Sequence, residues 1–399
     1  MSNALANGGQ APTAARASSA DRVERGQEVL RPFYLDLDEA EIRAIEAATG
    51  DILRRGELIL GRHTAAFEAA FAAYVDSRHA VALNTATSAL EVLLTLRGAR
   101  GRKVAVPSNT NFASVAAILR AGGQPVYMDM AEEYFSPGLA ELGSVVAKHR
   151  VDGVLWVHIG GLIVPDFPAV VAFCRDRGLF LIEDAAHAHG SRLGGRSAGT
   201  FADGGAFSFF PTKVMTTIEG GMITTDSDSD AELARSFRNQ GKRGAAYGGL
   251  HHDLGSSWRM SEVSAFIGLV QLAKLDRMVA ARRRAVDIVS ARLRGARIGY
   301  CDASHMDQAS HYKFIVRLPE GVGAEEAKRK LAAEGIVCGG GVYEVPCHRQ
   351  PVFAGIAYDE DALRVTETWC PRHICPPITS GTTPQDAERI AVALTEVLG

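Results

Sequence analysis

The 399-residue chain lacks the signatures of several large protein classes. No uncharged apolar stretch of about 18 or more residues occurs, so no membrane span is expected. Charge of one sign is not in excess: the formal net charge is −3, which argues against nucleic acid as the main partner. Neither G-x-G-x-x-G nor G-x-x-x-x-G-K is present, so dinucleotides and nucleoside triphosphates have no phosphate-binding fingerprint here. Cysteine is sparse: Cys174, Cys301, Cys338, Cys347, Cys370 and Cys375 form no evenly spaced framework. A chain of this size folds without disulfides, and a cytoplasmic location is expected. Cys370, His373 and Cys375 stand close together, but in a proline-rich loop without a second ligand pair, so no metal is expected. No internal repeat is visible.

What is present is an ordinary globular balance, 47% hydrophobic and 22% charged. The length fits one large domain and a smaller one. Residues 1–32 are small and polar and read as a flexible tail without the apolar core of a signal peptide. Two helical runs follow, and then short apolar strands alternate with helical stretches: HAVAL, KVAVP, PVYMDM, GVLWVH, LFLIED, GGAFSFF and GMITTD. This rhythm predicts α/β architecture with βαβ units and a mostly parallel seven-stranded sheet. Continuous apolar strands fit a sheet covered on both faces. After residue 228 the texture changes to a long glycine-rich loop, a helical stretch over 261–293 and a smaller α+β unit. The expected division is a large domain over 33–280 and a small C-terminal domain over 281–399.

Ligands in open α/β sheets bind beyond the carboxyl ends of the strands. There the chain places Asn84-Thr85-Ala86-Thr87-Ser88, then Ser108-Asn109-Thr110-Asn111-Phe112, His158, Glu183-Asp184 with His187 and His189, and Ser208 ahead of Lys213. The first of these opens a helix with free N–H groups and hydroxyls, the makings of a phosphate cradle; plain capping by Thr85 or Thr87 explains the same residues. A cradle for one phosphate, an acid at a strand end and a lysine at the rim of an apolar run suit pyridoxal 5′-phosphate. That cofactor asks for a helix N-terminus, an acidic partner for its ring nitrogen and a lysine for a Schiff base. Asp184 and Lys213 fit the last two roles.

The stretches LIEDAAHAHGS (181–191), FSFFPTKVMTTIEGGMITTD (207–226), GSSWRMSEVSAFIGLVQLAKLD (255–276) and HYKFIVRLP (311–319) resemble the nucleotide-sugar aminotransferases of the DegT/DnrJ type. These belong to the fold-type I pyridoxal phosphate enzymes. The resemblance runs from about residue 34 to the end. It implies that Lys213 anchors the cofactor covalently and shuttles protons, that Asp184 pairs with the ring nitrogen, and that His187 lies beside the ring. It implies that Ser208, Thr87, Thr85 and the Ala86 N–H hold the phosphate. It also implies a homodimer in which Ser257 reaches the partner's phosphate site.

The chain departs from the family pattern in several places. Thr85-Ala86-Thr87 replaces Ser-Gly-Thr, Ser257 replaces an asparagine, and Ile159-Gly160-Gly161 replaces Tyr-Gly-Gln. The stacking aromatic falls at Asn111, which leaves Phe112 as the neighbouring candidate. The resemblance implies an aminotransferase moving an amino group from L-glutamate or L-glutamine to a nucleotide-linked keto sugar in amino-sugar or antibiotic biosynthesis. The altered Tyr-Gly-Gln keeps an aminohydroxybenzoate- or aminocyclitol-type enzyme as the alternative. A sugar dehydratase is disfavoured by Lys213, which those relatives replace with histidine. Tyr343, His348 and Arg349 in VYEVPCHRQPVF are further candidates for the substrate pocket.

Overall fold

The computed structural model describes residues 28–244, 248–339 and 341–399. Seven strands build the main sheet: β1 (His79–Leu83), β2 (Lys103–Pro107), β3 (Gln124–Met128), β4 (Gly153–Val157), β5 (Phe180–Asp184), β6 (Gly204–Ser208) and β7 (Gly221–Thr225). Their spatial order is β1-β7-β6-β5-β4-β2-β3. Only β7 runs against its neighbours; the other pairings are parallel. Every residue of β4, β5, β6 and β7 is buried, the state that their unbroken apolar reading requires. Polar side chains inside these strands have partners. Glu183 accepts the N–H groups of Gly199, Phe201 and Ala202 at 2.7, 2.6 and 3.0 Å, which fixes the turn leading into β6.

The helical stretch after residue 261 resolves into two helices, Glu262–Leu272 and Leu275–Gly295. The second serves two cores. Leu275, Met278 and Val279 pack with the large domain, whereas Ala285, Val286, Val289 and Leu293 pack with the small one. The change from one core to the other falls between Val279 and Ala285. The small domain has less strand than its sequence suggests. Among the described residues its regular β-structure is a two-residue pair, Val316–Arg317 with His373–Ile374, and isolated bridges form at Ile336 and Gly339.

Most of the expected tail lies outside the described residues, but its last part is not loose. Leu30 forms a parallel bridge with Ile336, donating to the Gly335 carbonyl at 2.8 Å and accepting from the Val337 N–H at 2.9 Å. The Glu28 carbonyl accepts from Arg389 at 2.8 Å. Residues 28–32 therefore belong to the small domain's fold. Among the described residues, no helix is long and apolar enough to cross a membrane.

Candidate active site

The cradle forms where three strands meet. Gly221 opens β7 and pairs with Leu83 at the end of β1 and with Ser208 at the end of β6. A Cβ on Gly221 would stand 2.3 Å from the Thr85 carbonyl and 2.5 Å from the Ala86 nitrogen, so only glycine lets these backbones touch. Thr85 is the N-cap of the helix Ala86–Leu96, its hydroxyl accepting from the Ser88 N–H at 3.1 Å. Ala86 and Thr87 occupy the first turn, where N–H groups have no carbonyl four residues back to bond. Ser208 ends the adjoining strand, and its hydroxyl is met only distantly by the Phe210 N–H, at 3.4 Å. Capping and cradle readings thus coexist: Thr85 caps, and the next two N–H groups remain for an anion.

Asp184 ends β5 and is buried. Its carboxylate accepts from the Ser114 hydroxyl at 2.8 Å and the Ala186 N–H at 3.1 Å. Burial raises its pKa from the ordinary 3.8, and these two hydrogen bonds with the Lys213 charge reverse only part of that. Such a carboxylate is held ionised by a cation placed against it. Neighbouring Glu183 points to the other face and, with three amide donors, receives a fourth hydrogen bond from His158 Nε2 at 2.9 Å. Glu183 and His158 are therefore scaffold, a distinction that their strand-end positions alone do not make.

Lys213 follows β6 on a loop tied back to the sheet. Thr216 Oγ1 and the Thr217 N–H both donate to the Phe209 carbonyl, at 2.9 and 3.0 Å. The loop carries strain at Ile218, an exposed β-branched residue at φ 73°. The Lys213 ammonium sits 4.7 Å from the Tyr312 ring centroid. Burial lowers its pKa below 10.5, with Tyr312 and Asp184 pulling weakly the other way. That is the condition in which an amine is nucleophilic.

His187 is held from both sides. The Gly160 N–H donates to its Nδ1 at 3.2 Å, which places the ring proton on Nε2, facing the Tyr343 hydroxyl at 3.2 Å. The Tyr312 ring lies 4.4 Å away, centroid to centroid. Burial, reinforced by Lys213 and Lys313, drives the His187 pKa well below 6.5, so the ring is neutral. Glutamine has an oxygen for the Gly160 N–H and an N–H for Tyr343. We expect His187→Gln to keep activity within about tenfold of wild type, and His187→Ala to lose a further tenfold or more by orphaning both partners. Steady-state rates of the two variants, compared at one pH, check this.

Tyr312 and Tyr343 were not both legible as site residues: Tyr343 stood among the pocket candidates, while Tyr312 was visible only within a family-like stretch. Tyr343 adopts φ 63°, unusual for a bulky residue and consistent with a position imposed by its surroundings. Phe112, expected as the ring's neighbour, lies at the start of a helix. It is 47% exposed, starts the helix that Asn111 caps, and stacks on Phe353 at 5.4 Å and 18°, while exposed Asn111 hydrogen-bonds Tyr343. Ser257 is exposed, and within its own chain its hydroxyl accepts from Arg259 at 2.5 Å. His348 proves to be a fastener: Nδ1 contacts the buried Ser108 hydroxyl, and Nε2 contacts Glu367 at 2.5 Å. With the Cys347 N–H bonded to the Ser108 carbonyl at 2.9 Å, this pins the segment bearing Tyr343 to the end of β2. Arg349 is outside, paired with the same Glu367 at 2.6 Å. A groove of about 840 Å³ opens elsewhere, between β3 and residues 355–363, and none of these site residues lines it.

The sequence profile of the DegT/DnrJ/EryC1/StrS aminotransferase family matches residues 38–395. GDP-perosamine synthase of Caulobacter vibrioides is 33% identical over 345 residues, 85% of this chain and 91% of that one. The dTDP-3-amino-3,4,6-trideoxy-alpha-D-glucose transaminase of Streptomyces venezuelae is 34% identical over 362 residues, covering 88% and 92%. The crystal structure of S. venezuelae DesV in complex with a ketimine intermediate superposes with a TM-score of 0.85 at 30% identity, over 93% of this chain and 98% of that one.

Proposed function

This chain belongs to the DegT/DnrJ/EryC1/StrS family of sugar aminotransferases, and from that membership we propose that it is a pyridoxal phosphate-dependent transaminase acting on a nucleotide-linked keto sugar, with L-glutamate or L-glutamine as donor. The observation that carries the reading is the meeting of three groups at neighbouring strand ends: the cradle closed by Gly221, the Asp184 carboxylate and the Lys213 amine. The residues fit the cofactor. The Ala86 and Thr87 N–H groups with Ser208 would hold its phosphate, Asp184 its ring nitrogen, and Lys213 its aldehyde carbon. When bound, pyridoxal phosphate supplies an electron sink for the carbon being deprotonated. Asp184 sustains that sink as a buried anion, oriented by Ser114 and Ala186. Lys213, neutral and mobile once its amine is free, would take the proton from the substrate carbon and hand it back from the same side. Neutral His187, held by Gly160 and Tyr343, would lie beside the ring without adding charge. The named relatives, a perosamine synthase and an amino-sugar transaminase, support the sugar substrate class over an aromatising or dehydrating one.

We further propose a homodimer. Its support is the glycine-rich loop, where Leu250 and Leu254 are 76% and 95% exposed beside Ser257. The deciding experiment converts the protein to its pyridoxamine form with L-glutamate or L-glutamine and then offers a panel of keto sugar nucleotides. A sugar that restores the visible cofactor band is the acceptor. Failure of both donors to discharge that band would sink the transaminase reading.

A further inference from the structure

Among the described residues, Lys313 beside the site has no counter-ion. Lys313 is half-buried, and its ammonium lies 5.5 Å from the centroid of the Tyr312 ring that Lys213 also approaches. Among the described residues it makes no ion pair, and its ammonium donates no hydrogen bond. A partly dehydrated ammonium without a partner carries a desolvation cost that a bound anion offsets. Nearby groups do not serve it. Asp184 is engaged by Ser114 and Ala186.

The position of Lys313 is set by Gly160, which stands between Ile159 and Gly161, two residues where this chain departs from the family pattern. The Lys313 N–H donates to the Gly160 carbonyl at 3.1 Å, while the Gly160 N–H donates to His187. Gly160 is left-handed at φ 66°, and a Cβ there would stand 3.1 Å from the Lys313 carbonyl. One glycine therefore ties Lys313 to His187. At its far end the ammonium passes Gly339, where a Cβ would come within 3.3 Å. The phosphate cradle is built from other elements, Thr85–Thr87 and Ser208, so the cofactor's phosphate does not account for this charge.

We propose that Lys313 anchors a substrate carboxylate, either the distal carboxylate of an acidic amino donor or one carried by the acceptor sugar. This rests on the transaminase reading, and the test separates the two. Lys313→Met and Lys313→Arg are prepared as holoenzymes and assayed in three arms: L-glutamate against L-glutamine, a keto sugar nucleotide with a C6 carboxylate against its neutral counterpart, and glutarate binding by calorimetry without turnover. Loss of a charge-assisted contact raises KM, or weakens glutarate, by roughly 10- to 100-fold in Lys313→Met, and Lys313→Arg restores most of it. A change confined to glutamate and glutarate identifies the donor's carboxylate; one confined to the acidic sugar identifies the acceptor's. If no arm moves, or if Lys313→Met instead loses the cofactor, the inference is overturned while wild-type turnover keeps the transaminase reading standing. If wild type shows no half-reaction with either donor, that reading falls, and unchanged glutarate binding in Lys313→Met then removes this inference too.

Discussion

Replacing Lys213 with alanine is expected to lower transamination by at least about 10⁴-fold, because one side chain supplies both the covalent anchor and the moving proton. The fold has little reason to change. Lys213 makes no ion pair among the described residues, and its loop is tied by Thr216, Thr217 and the Lys213 backbone rather than by the amine. Cofactor should still bind through the cradle and Asp184, but without its covalently bound spectrum. Small exogenous amines should recover part of the proton transfer in this variant, whereas Lys213→Arg, positive at all working pH, should not respond. Single-turnover kinetics with each donor, followed by the visible spectrum, decide the matter. A visible band in Lys213→Ala indistinguishable from wild type would overturn the assignment of the anchor.

The second large effect concerns Asp184, and its sign depends on whether cofactor is present. With cofactor, Asp184→Asn removes the anion facing a ring cation. Breaking such a buried pair costs about 3–5 kcal/mol, so activity should fall roughly 10²- to 10⁴-fold. In the cofactor-free chain the same change should be neutral or stabilising. There the Asp184 pKa lies above 3.8, so the unfolded chain gives up this proton first. Stability present below that ordinary value is lost as pH rises through the folded pKa, and at neutral pH the wild type bears the cost. Asparagine has no proton to lose and keeps a partner for Ser114. Thermal melts at pH 5 and pH 8, with and without pyridoxal phosphate, should therefore show the two proteins changing rank when cofactor is added. A cofactor-free Asp184→Asn much less stable than wild type at pH 8 would contradict this account.

Much of this was legible in the sequence because the α/β sheet is locally encoded. Short apolar runs between helical stretches mark strands buried on both faces, and the residue after each run is at a carboxyl end by construction. Asp184, Ser208, Thr85 and Lys213 were found that way. Side-chain direction at those ends is less accessible: Glu183 and Asp184 are adjacent and differ only in face, and the role of each depends on which loop arrives opposite. Asn111 and Phe112 pose the same problem, since the turn that makes Asn111 an N-cap sends its side chain to Tyr343 and that of Phe112 to Phe353. Tyr312, Tyr343 and Lys313 come from the small domain, where strands are two residues long and hydrophobic period carries little information. Their place in the site is a long-range packing result.

The helix Leu275–Gly295 bears on how such a site accepts bulky substrates. At 1.5 Å per residue its 21 residues form a rod of about 30 Å embedded in both hydrophobic cores. Midway along it, buried Arg282 grips the His311 and Ile378 carbonyls. His311 immediately precedes Tyr312 and Lys313, so these residues are indexed to the rod. Any swing of the small domain as a lid would have to bend a continuous helix or tear two cores apart. Tyr312 and Lys313 then keep fixed places relative to both cores as substrates come and go.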